Sequence, residues 1–222
     1  MVTLTLKHVI SSLCWHPKGD YLSTMAHNLQ ATSQVLIHSI SKATSQKPFS
    51  TTKGIIQAFA FHPTKPHFFA CTHMTVFQYN LQKQTIVNKF KSGAKWISSI
   101  DIHPAGDNVI LGTYDKRIHW HDMDLSTKPY KTLRYHRSAV RQVRFHPRYP
   151  LFSSCSDDGS VLLFHGMVYN DLMQNPLIVP VKTLKGAHEV GLNGLGVLDC
   201  VWHPSQPWLF TCGSDKTIKL FV

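Results

Sequence analysis

A run of basic side chains interleaved with aromatic ones is the stretch whose residue types most directly suggest chemistry. No acidic residue occurs between Leu125 and Asp157. The basic residues of this stretch are Lys128, Lys131, Arg134, Arg137, Arg141, Arg144 and Arg148. The aromatic residues among them are Tyr130, Tyr135, Phe145 and Tyr149. Because cations bind phosphates and aromatic rings stack on bases, the stretch predicts contact with RNA or DNA without choosing between them.

The charge of the whole chain points the same way. In 222 residues there are 23 Lys and Arg against 12 Asp and Glu, a net charge of +11. Such an excess cannot be neutralised internally, so we expect a positive field that attracts polyanions. Two alternatives stay open, namely a solvated basic face that only confers solubility and an adaptor that binds acidic protein segments without RNA contact.

Two sets of residues raise the question of metal binding or catalysis. His119 and His121 alternate on a predicted strand and so face the same way, a geometry that can ligate a metal. No third ligand occurs at matching spacing, so we expect strand packing and no metal. The set His136, Ser154 and Asp158 has the residue types of a hydrolytic triad. We find no assembled oxyanion site and no cofactor loop, and we predict neither an enzyme nor a cofactor.

These residues lie within a repeated pattern that predicts the fold. The motif apolar-x-apolar-His-Pro occurs five times, with prolines 46, 41, 43 and 57 residues apart. A second apolar strand follows each copy, and some copies add an Asp turn and a third strand, as in Asp158–Phe164. One such meander cannot bury both of its faces alone and needs copies on either side. A period near 40 with about four short strands per unit predicts an all-β propeller.

The predicted blades span residues 7–47, 54–90, 95–133, 136–185 and 196–222. The last blade stops at its third strand, so we expect the spare strand Val2–Leu6 to complete it and protect its edge. No apolar run is long enough to span a bilayer and the N-terminus does not read as a signal peptide, so no membrane contact is expected. The odd number of cysteines, 5, without a CxxC pair predicts buried thiols in a reducing compartment.

The repeats resemble WD repeats, although the Trp-Asp dipeptide itself has decayed. In that family a His before the first strand, a Ser or Thr on the second and the turn Asp form a buried relay. The resemblance implies relays formed by His136, Ser154 and Asp158 in blade four and by His188, Thr211 and Asp215 in blade five. Because the repeat uses these positions structurally, we set the triad interpretation aside.

Longer runs outside the generic repeat resemble the Bop/Erb family of ribosome-biogenesis proteins. The runs are Asp122–Tyr130, Phe145–Phe152 (FHPRYPLF), Ser156–Val161 (SDDGSV), His165–Val181 (HGMVYNDLMQNPLIVPV) and His203–Trp208. The resemblance is strongest from about Lys95 to the C-terminus and weaker, though in phase, before it.

This resemblance implies the C-terminal propeller of a nucleolar assembly factor for the large (60S) ribosomal subunit. The family propeller has seven blades, of which this chain supplies five. The family acts with a pescadillo-type protein and a second WD-repeat protein in pre-rRNA processing, in the nucleolus and nucleoplasm. We therefore expect a non-catalytic scaffold that binds pre-rRNA through its basic surface, and protein partners through the propeller, within the large-subunit pre-ribosome.

Overall fold

The computed structural model describes residues 3–6, 8–26, 34–49, 54–169 and 174–222, and it contains strands but no helix in these ranges. The strands are β1 (Ser12–Trp15), β2 (Tyr21–Met25), β3 (Val35–Ser39), β4 (Thr44–Gln46), β5 (Ala58–Phe61), β6 (His67–Cys71), β7 (Thr75–Asn80), β8 (Thr85–Lys91), β9 (Ile97–Ile102), β10 (Asn108–Thr113), β11 (Ile118–Asp122), β12 (Lys131–Leu133), β13 (Val140–Phe145), β14 (Leu151–Ser156), β15 (Val161–Met167), β16 (Leu177–Leu184), β17 (Val197–Trp202), β18 (Leu209–Gly213) and β19 (Ile218–Phe221).

Consecutive strands form five antiparallel sheets, one for each copy of the repeat. Four sheets have four strands each, β1–β4, β5–β8, β9–β12 and β13–β16, and the last has three, β17–β19. The first strands of successive sheets pack side by side, β1 on β5, β5 on β9, β9 on β13 and β13 on β17. The predicted all-β propeller is confirmed.

The apolar cores lie between neighbouring sheets, which is why one meander alone would not fold. Between the third and fourth sheets, Trp120 is fully buried and meets Phe145 edge-on, with ring centroids 5.2 Å apart. Phe152 and Phe164 stack with centroids 4.6 Å apart in the same cluster. The Trp120 Nε1 atom donates to Asn108 Oδ1 at 2.7 Å, which satisfies its polar group inside the core.

The His-Pro motif ends the first strand of each sheet with a shared turn. The backbone amide two residues beyond the histidine donates to its Nδ1 atom at 3.0 Å in His146 and 3.2 Å in His103. His16, His62 and His203 make the same contact. The ring thus substitutes for a backbone acceptor, while proline withholds an amide from the ladder. The five histidines are strand-ending groups, as the repeat spacing indicates.

The N-terminal segment differs from expectation. Residues 3–6 form no strand, Val2 lies outside the described residues, and the last sheet keeps three strands in the order β17-β18-β19. Thr5 and Leu6 instead line a cleft beside Leu36 of the first sheet. The alternation of Thr and Leu fits a strand, but the segment leads directly into β1 and lies against that sheet rather than reaching β19.

The five sheets span residues 12–46, 58–91, 97–133, 140–184 and 197–221. Cys14, Cys71, Cys155, Cys200 and Cys212 are all free thiols on strands, buried or half-buried. In the described part of the chain, no helix is long and apolar enough to cross a membrane.

Candidate nucleic-acid interface

Antiparallel strands send the connections of every sheet alternately to two rims of the propeller. We define the upper rim as the loops between successive sheets together with the turns between second and third strands. The lower rim consists of the loops between first and second strands and between third and fourth strands. The basic stretch Lys128–Arg148 passes through both rims. Its basic residues therefore lie on different sides of the propeller and do not form one patch.

Arg134 and Arg137 lie on the upper rim, in the loop between β12 and β13, and both are exposed. The backbone amide of Arg137 donates to Asp158 Oδ2 at 2.8 Å. This bond fixes the loop through the main chain while the guanidinium remains exposed to solvent. The guanidinium groups of the two arginines can therefore contact a partner without breaking the bond between the Arg137 amide and Asp158.

Four lysines outside the predicted stretch add to the upper rim. These exposed residues are Lys95, Lys116, Lys185 and Lys216. Sequence reasoning missed them because they are far apart in the chain. A signal existed, since Lys116 and Lys216 each follow the turn Asp of a repeat, and both have positive φ angles of 69° and 63°. The repeat thus places a lysine at the tip of this turn in two blades.

Arg141, which we expected to contact RNA, forms an ion pair within the propeller. Its Nη2 atom lies 2.7 Å from Asp157 Oδ2 and its Nε donates to the same oxygen at 2.8 Å. The guanidinium also lies over the Tyr114 ring of the third sheet, 5.1 Å from its centroid. The bond to Asp157 raises the pKa of Arg141. Arg141 joins the third and fourth blades and is therefore not part of the candidate interface.

Arg144 also departs from expectation, because it lies near the propeller axis. Burial opposes its charge, yet Asp101 of β9 and Asp199 of β17 raise the pKa of Arg144. Cys14 of β1 is also close to Arg144: burial raises the pKa of the Cys14 thiol, and the charge of Arg144 acts against this rise. Side chains from three other first strands, β1, β9 and β17, therefore lie near this half-buried guanidinium. It acts as an internal counter-charge and not as a surface contact.

The other cations of the stretch lie away from the upper rim. Lys128 and Arg148 are exposed on the lower rim, in the loops after β11 and β13. Lys131 lies on the outer strand β12, where its Nζ donates to the carbonyl oxygen of Ile178 at 2.9 Å. This bond links the outer strands of the third and fourth sheets.

In the relay of the fourth blade, a carboxylate of the upper rim is hydrogen-bonded to a histidine. Asp158 Oδ2 accepts a bond from His136 Nδ1 at 3.2 Å, and the Ser154 hydroxyl bonds to His136 Nε2 at 2.7 Å. Burial disfavours the charged form, but bonds from His136, Ser160 and the Arg137 amide hold the pKa of Asp158 well below its ordinary value. Ser154 is fully buried, so no substrate reaches its hydroxyl and the set bonds strands together.

The fifth blade repeats this arrangement. His188 Nδ1 donates to Asp215 Oδ1 at 3.0 Å, and His188 Nε2 pairs with the Thr211 hydroxyl at 2.8 Å. Against the effect of burial, bonds from His188 and Thr217 lower the pKa of Asp215. Because both relays and Arg141 engage Asp157, Asp158 and Asp215, the six exposed arginines and lysines named above outnumber the exposed carboxylate of the upper rim, Glu189.

Comparison with known proteins identifies the repeat and the relatives of this chain. A model of the WD domain, G-beta repeat, matches residues 127–165 and 179–221. Ribosome biogenesis protein bop1 of Danio rerio is 54% identical over 221 residues, which are 99% of this chain and 28% of the relative. Ribosome biogenesis protein ERB1 of Saccharomyces cerevisiae (strain YJM789) is 51% identical over 100% of this chain and 27% of its own length. For BOP1 of Homo sapiens, the identity is 52% over 96% of this chain and 28% of the relative.

The chain is a homologue of the Bop1/Erb1 ribosome biogenesis proteins. It spans less than a third of the length of these Bop1/Erb1 relatives. The two matched WD repeats contain the complete relays, His136 to Asp158 in one and His188 to Asp215 in the other. The Bop1/Erb1 relatives cover nearly the whole chain, including the blades whose WD pattern has decayed.

His119 and His121 of β11 lie outside the matched WD repeats and are buried. Their ring centroids are 6.5 Å apart, and His119 Nδ1 pairs with the Thr132 hydroxyl at 3.2 Å. No group of three or more metal-ligating side chains occurs among the described residues. Burial, with a smaller effect of His119, lowers the pKa of His121 to about 4. His121 is therefore neutral in the folded chain at neutral pH.

We expect the substitution His121→Phe to stabilise the propeller and to flatten its response to acid. Both ring nitrogens of His121 lack a hydrogen-bond partner among the described residues, and Phe90, Val109 and Leu111 surround it. Removing these buried polar atoms should add about 1 kcal/mol to the free energy of unfolding at pH 7.

The acid response follows from the lowered pKa of His121. Between its ordinary value of 6.5 and about 4, the unfolded chain binds a proton that the folded chain does not. The free energy of unfolding therefore falls as the pH drops from 7 to 5. Over this interval, His121→Phe should lose roughly 2 kcal/mol less of its free energy of unfolding than the unaltered chain does. Urea unfolding at pH 7 and pH 5 measures this difference. If His121→Phe and the unaltered chain lost the same free energy of unfolding, the prediction would be wrong.

Proposed function

We propose that this chain is a non-catalytic scaffold in large (60S) ribosomal subunit biogenesis, which binds pre-rRNA through its upper rim and supports pre-rRNA processing. The names of the relatives support the biological setting. The exposed cations Arg134 and Arg137, beside carboxylates that are already engaged, are the observation that carries the RNA contact. Lys95, Lys116, Lys185 and Lys216 extend the same surface.

The upper rim suits RNA because three of its carboxylates hold partners inside the protein, whereas Glu189, in the same loop as Lys185, is exposed. Asp157 is bonded to Arg141, while Asp158 and Asp215 accept bonds from relay histidines. A phosphate that approaches the rim thus meets cations whose charge is not cancelled by these neighbours. On the lower rim of the third blade, by contrast, Asp122 and Asp124 follow one another closely and Lys128 stands near them in sequence.

Protein partners would bind elsewhere on the propeller. The last sheet exposes apolar side chains, with Val201 57%, Leu220 47% and Leu198 40% exposed. Apolar area of this kind is typical of protein interaction surfaces. By family resemblance, the partners would be a second WD-repeat protein and a pescadillo-type protein in the large-subunit pre-ribosome. The location would be the nucleus, in the nucleolus and nucleoplasm.

A salt titration tests the RNA contact directly. Four to six phosphate contacts release their counterions, so the logarithm of the association constant should fall with the logarithm of salt concentration with a slope of about −3 to −4. Between 50 and 200 mM salt the affinity for an rRNA segment should then fall roughly a hundredfold. Fluorescence anisotropy with a labelled rRNA segment measures the slope. An affinity that does not depend on salt, or no binding at low salt, would contradict the proposal.

A further inference from the structure

A cleft of about 450 Å³ opens between the first and second sheets. It lies in different blades from the proposed RNA surface, and most of its lining comes from lower-rim loops, with Lys47 and Pro48 added from the loop after β4. From the first sheet it is lined by His16, Lys18 and Tyr21, and from the second by Thr64, Lys65 and Leu81. These residues come from loops that the His-Pro turns hold in place, since His16 Nδ1 accepts from the Lys18 amide at 3.1 Å and His62 Nδ1 from the Lys65 amide at 3.0 Å.

The charge of this cleft is not balanced. Lys18, Lys47 and Lys65 are exposed in its wall, and no carboxylate lines it. Among the described residues, none of the three lysines takes part in an ion pair. Asp20 is the acidic residue nearest in sequence, but its carboxylate accepts bonds from the amide and hydroxyl of Ser41 at 3.0 and 3.1 Å. No acidic residue follows in the sequence until Asp101, and Asp124 of the third blade lines a neighbouring pocket, which Lys65 also borders, and not this cleft.

Beneath the lysines the wall is apolar and amide-rich. Ile37, Pro48 and Phe61 are buried side chains that line the cleft, so a side chain entering it would leave water against an apolar surface. Gln46 and Gln82 also line it and are exposed. Each amide side chain offers a donor and an acceptor, which is the pairing that a peptide group requires.

We propose that this cleft binds an acidic linear segment of a protein, with one apolar side chain inserted and carboxylates placed against the three lysines. Charge complementarity identifies the occupant, because Lys18, Lys47 and Lys65 surround a space without counter-charge. Lysine provides point charges that suit flexible carboxylates, whereas bidentate phosphate recognition favours arginine, which is absent from the lining. Phe61 is only 5% exposed, and the exposed Tyr21 ring meets His16 edge-on with centroids 6.1 Å apart, so the lining offers one exposed tyrosine rather than a series of rings on which successive bases stack.

A labelled ten-residue peptide with one central Phe flanked by Glu on both sides is the probe. Fluorescence anisotropy should show saturable binding to the 222-residue chain. The double variant Lys18→Glu with Lys65→Glu should bind the peptide at least tenfold more weakly, because two attractions become repulsions. The variant Lys91→Glu with Lys182→Glu carries the same charge change on exposed residues outside the cleft, and it should stay within twofold of the unaltered chain.

Two further measurements distinguish an acidic peptide from RNA as the ligand of the cleft. A peptide with Ser in place of the Phe should bind at least fivefold more weakly if the apolar wall is used. A ten-nucleotide RNA should not displace the peptide, and displacement would overturn the proposal in favour of RNA. Equal binding by the Lys18→Glu, Lys65→Glu variant would also overturn it, provided that its thermal unfolding matches the unaltered chain. RNA affinity of this variant should be nearly unchanged, so failure here is distinct from failure of the upper-rim contact.

Discussion

The double variant Arg134→Glu with Arg137→Glu is expected to lower the affinity for rRNA roughly thirtyfold at 100 mM salt. Both side chains are exposed on the upper rim, and the structure gives neither guanidinium a carboxylate partner among the described residues. Each reversal removes a phosphate contact and adds repulsion, while the salt slope should become shallower by about 2. The loss should be similar for different RNA sequences, because phosphates carry no sequence information.

The matched control reverses two cations of the same stretch on the other rim. Lys128→Glu with Arg148→Glu makes an equal change in net charge, and both residues are exposed. If the upper rim binds RNA, this control should lose less than about threefold in affinity, through the long-range field alone. Equal losses in both variants would show that net charge, and not the upper rim, governs binding, and would contradict the proposed interface.

Loss of the Asp158 carboxylate should be among the most destabilising changes in the fourth blade. Asp158→Ala is expected to lower the free energy of unfolding by about 3 kcal/mol. Its oxygens accept bonds from His136 Nδ1, the Ser160 hydroxyl and the Arg137 amide, and the variant leaves these donors without that acceptor. Urea unfolding at pH 7 measures the loss. Asp124→Ala, an exposed carboxylate on the lower rim, should change stability by less than about 0.5 kcal/mol.

The pH dependence of this loss gives a second, independent result. Despite burial, the bonds from His136, Ser160 and the Arg137 amide lower the pKa of Asp158 below its ordinary value of 3.8. A lowered pKa contributes stability that is present above the unfolded value and is lost as pH falls through the folded value. The difference between the unaltered chain and Asp158→Ala should therefore be constant from pH 5 to 8 and shrink below about pH 4. A difference that persists undiminished at pH 3 would show that the charge is not its source.

We expect the Ser154 hydroxyl of the relay to contribute to stability and not to RNA binding. The relay joins a loop, a strand and a turn of one blade, and its hydroxyl residue Ser154 is fully buried. Ser154→Ala should thus lower stability and leave RNA affinity unchanged at temperatures where the variant is folded. The upper rim keeps its cations in that variant, because Arg134 and Arg137 do not depend on the Ser154 hydroxyl for their position.

The sequence alone predicted the fold because the signal is periodic burial. Five His-Pro turns at nearly equal spacing could be satisfied only by repeated meanders, and each meander buries its faces against its neighbours. The relays were also predictable, since their members recur at fixed positions in the WD pattern. The segment Val2–Leu6 was not predictable, because the alternation that fits a strand does not say which sheet edge lies within reach.

Which cations reach the surface was decided by the tertiary structure. Lys128 and Arg134 are close in sequence, yet the strand β12 between them places them on opposite rims. The sequence does not distinguish Arg141 from Arg144, but pairing of β13 with β14 brings Asp157 to Arg141, and packing between sheets brings Asp101 and Asp199 to Arg144. The alternation of apolar residues can be read from each repeat by itself, whereas the neutralisation of a charge depends on distances between side chains that only strand pairing and sheet packing set.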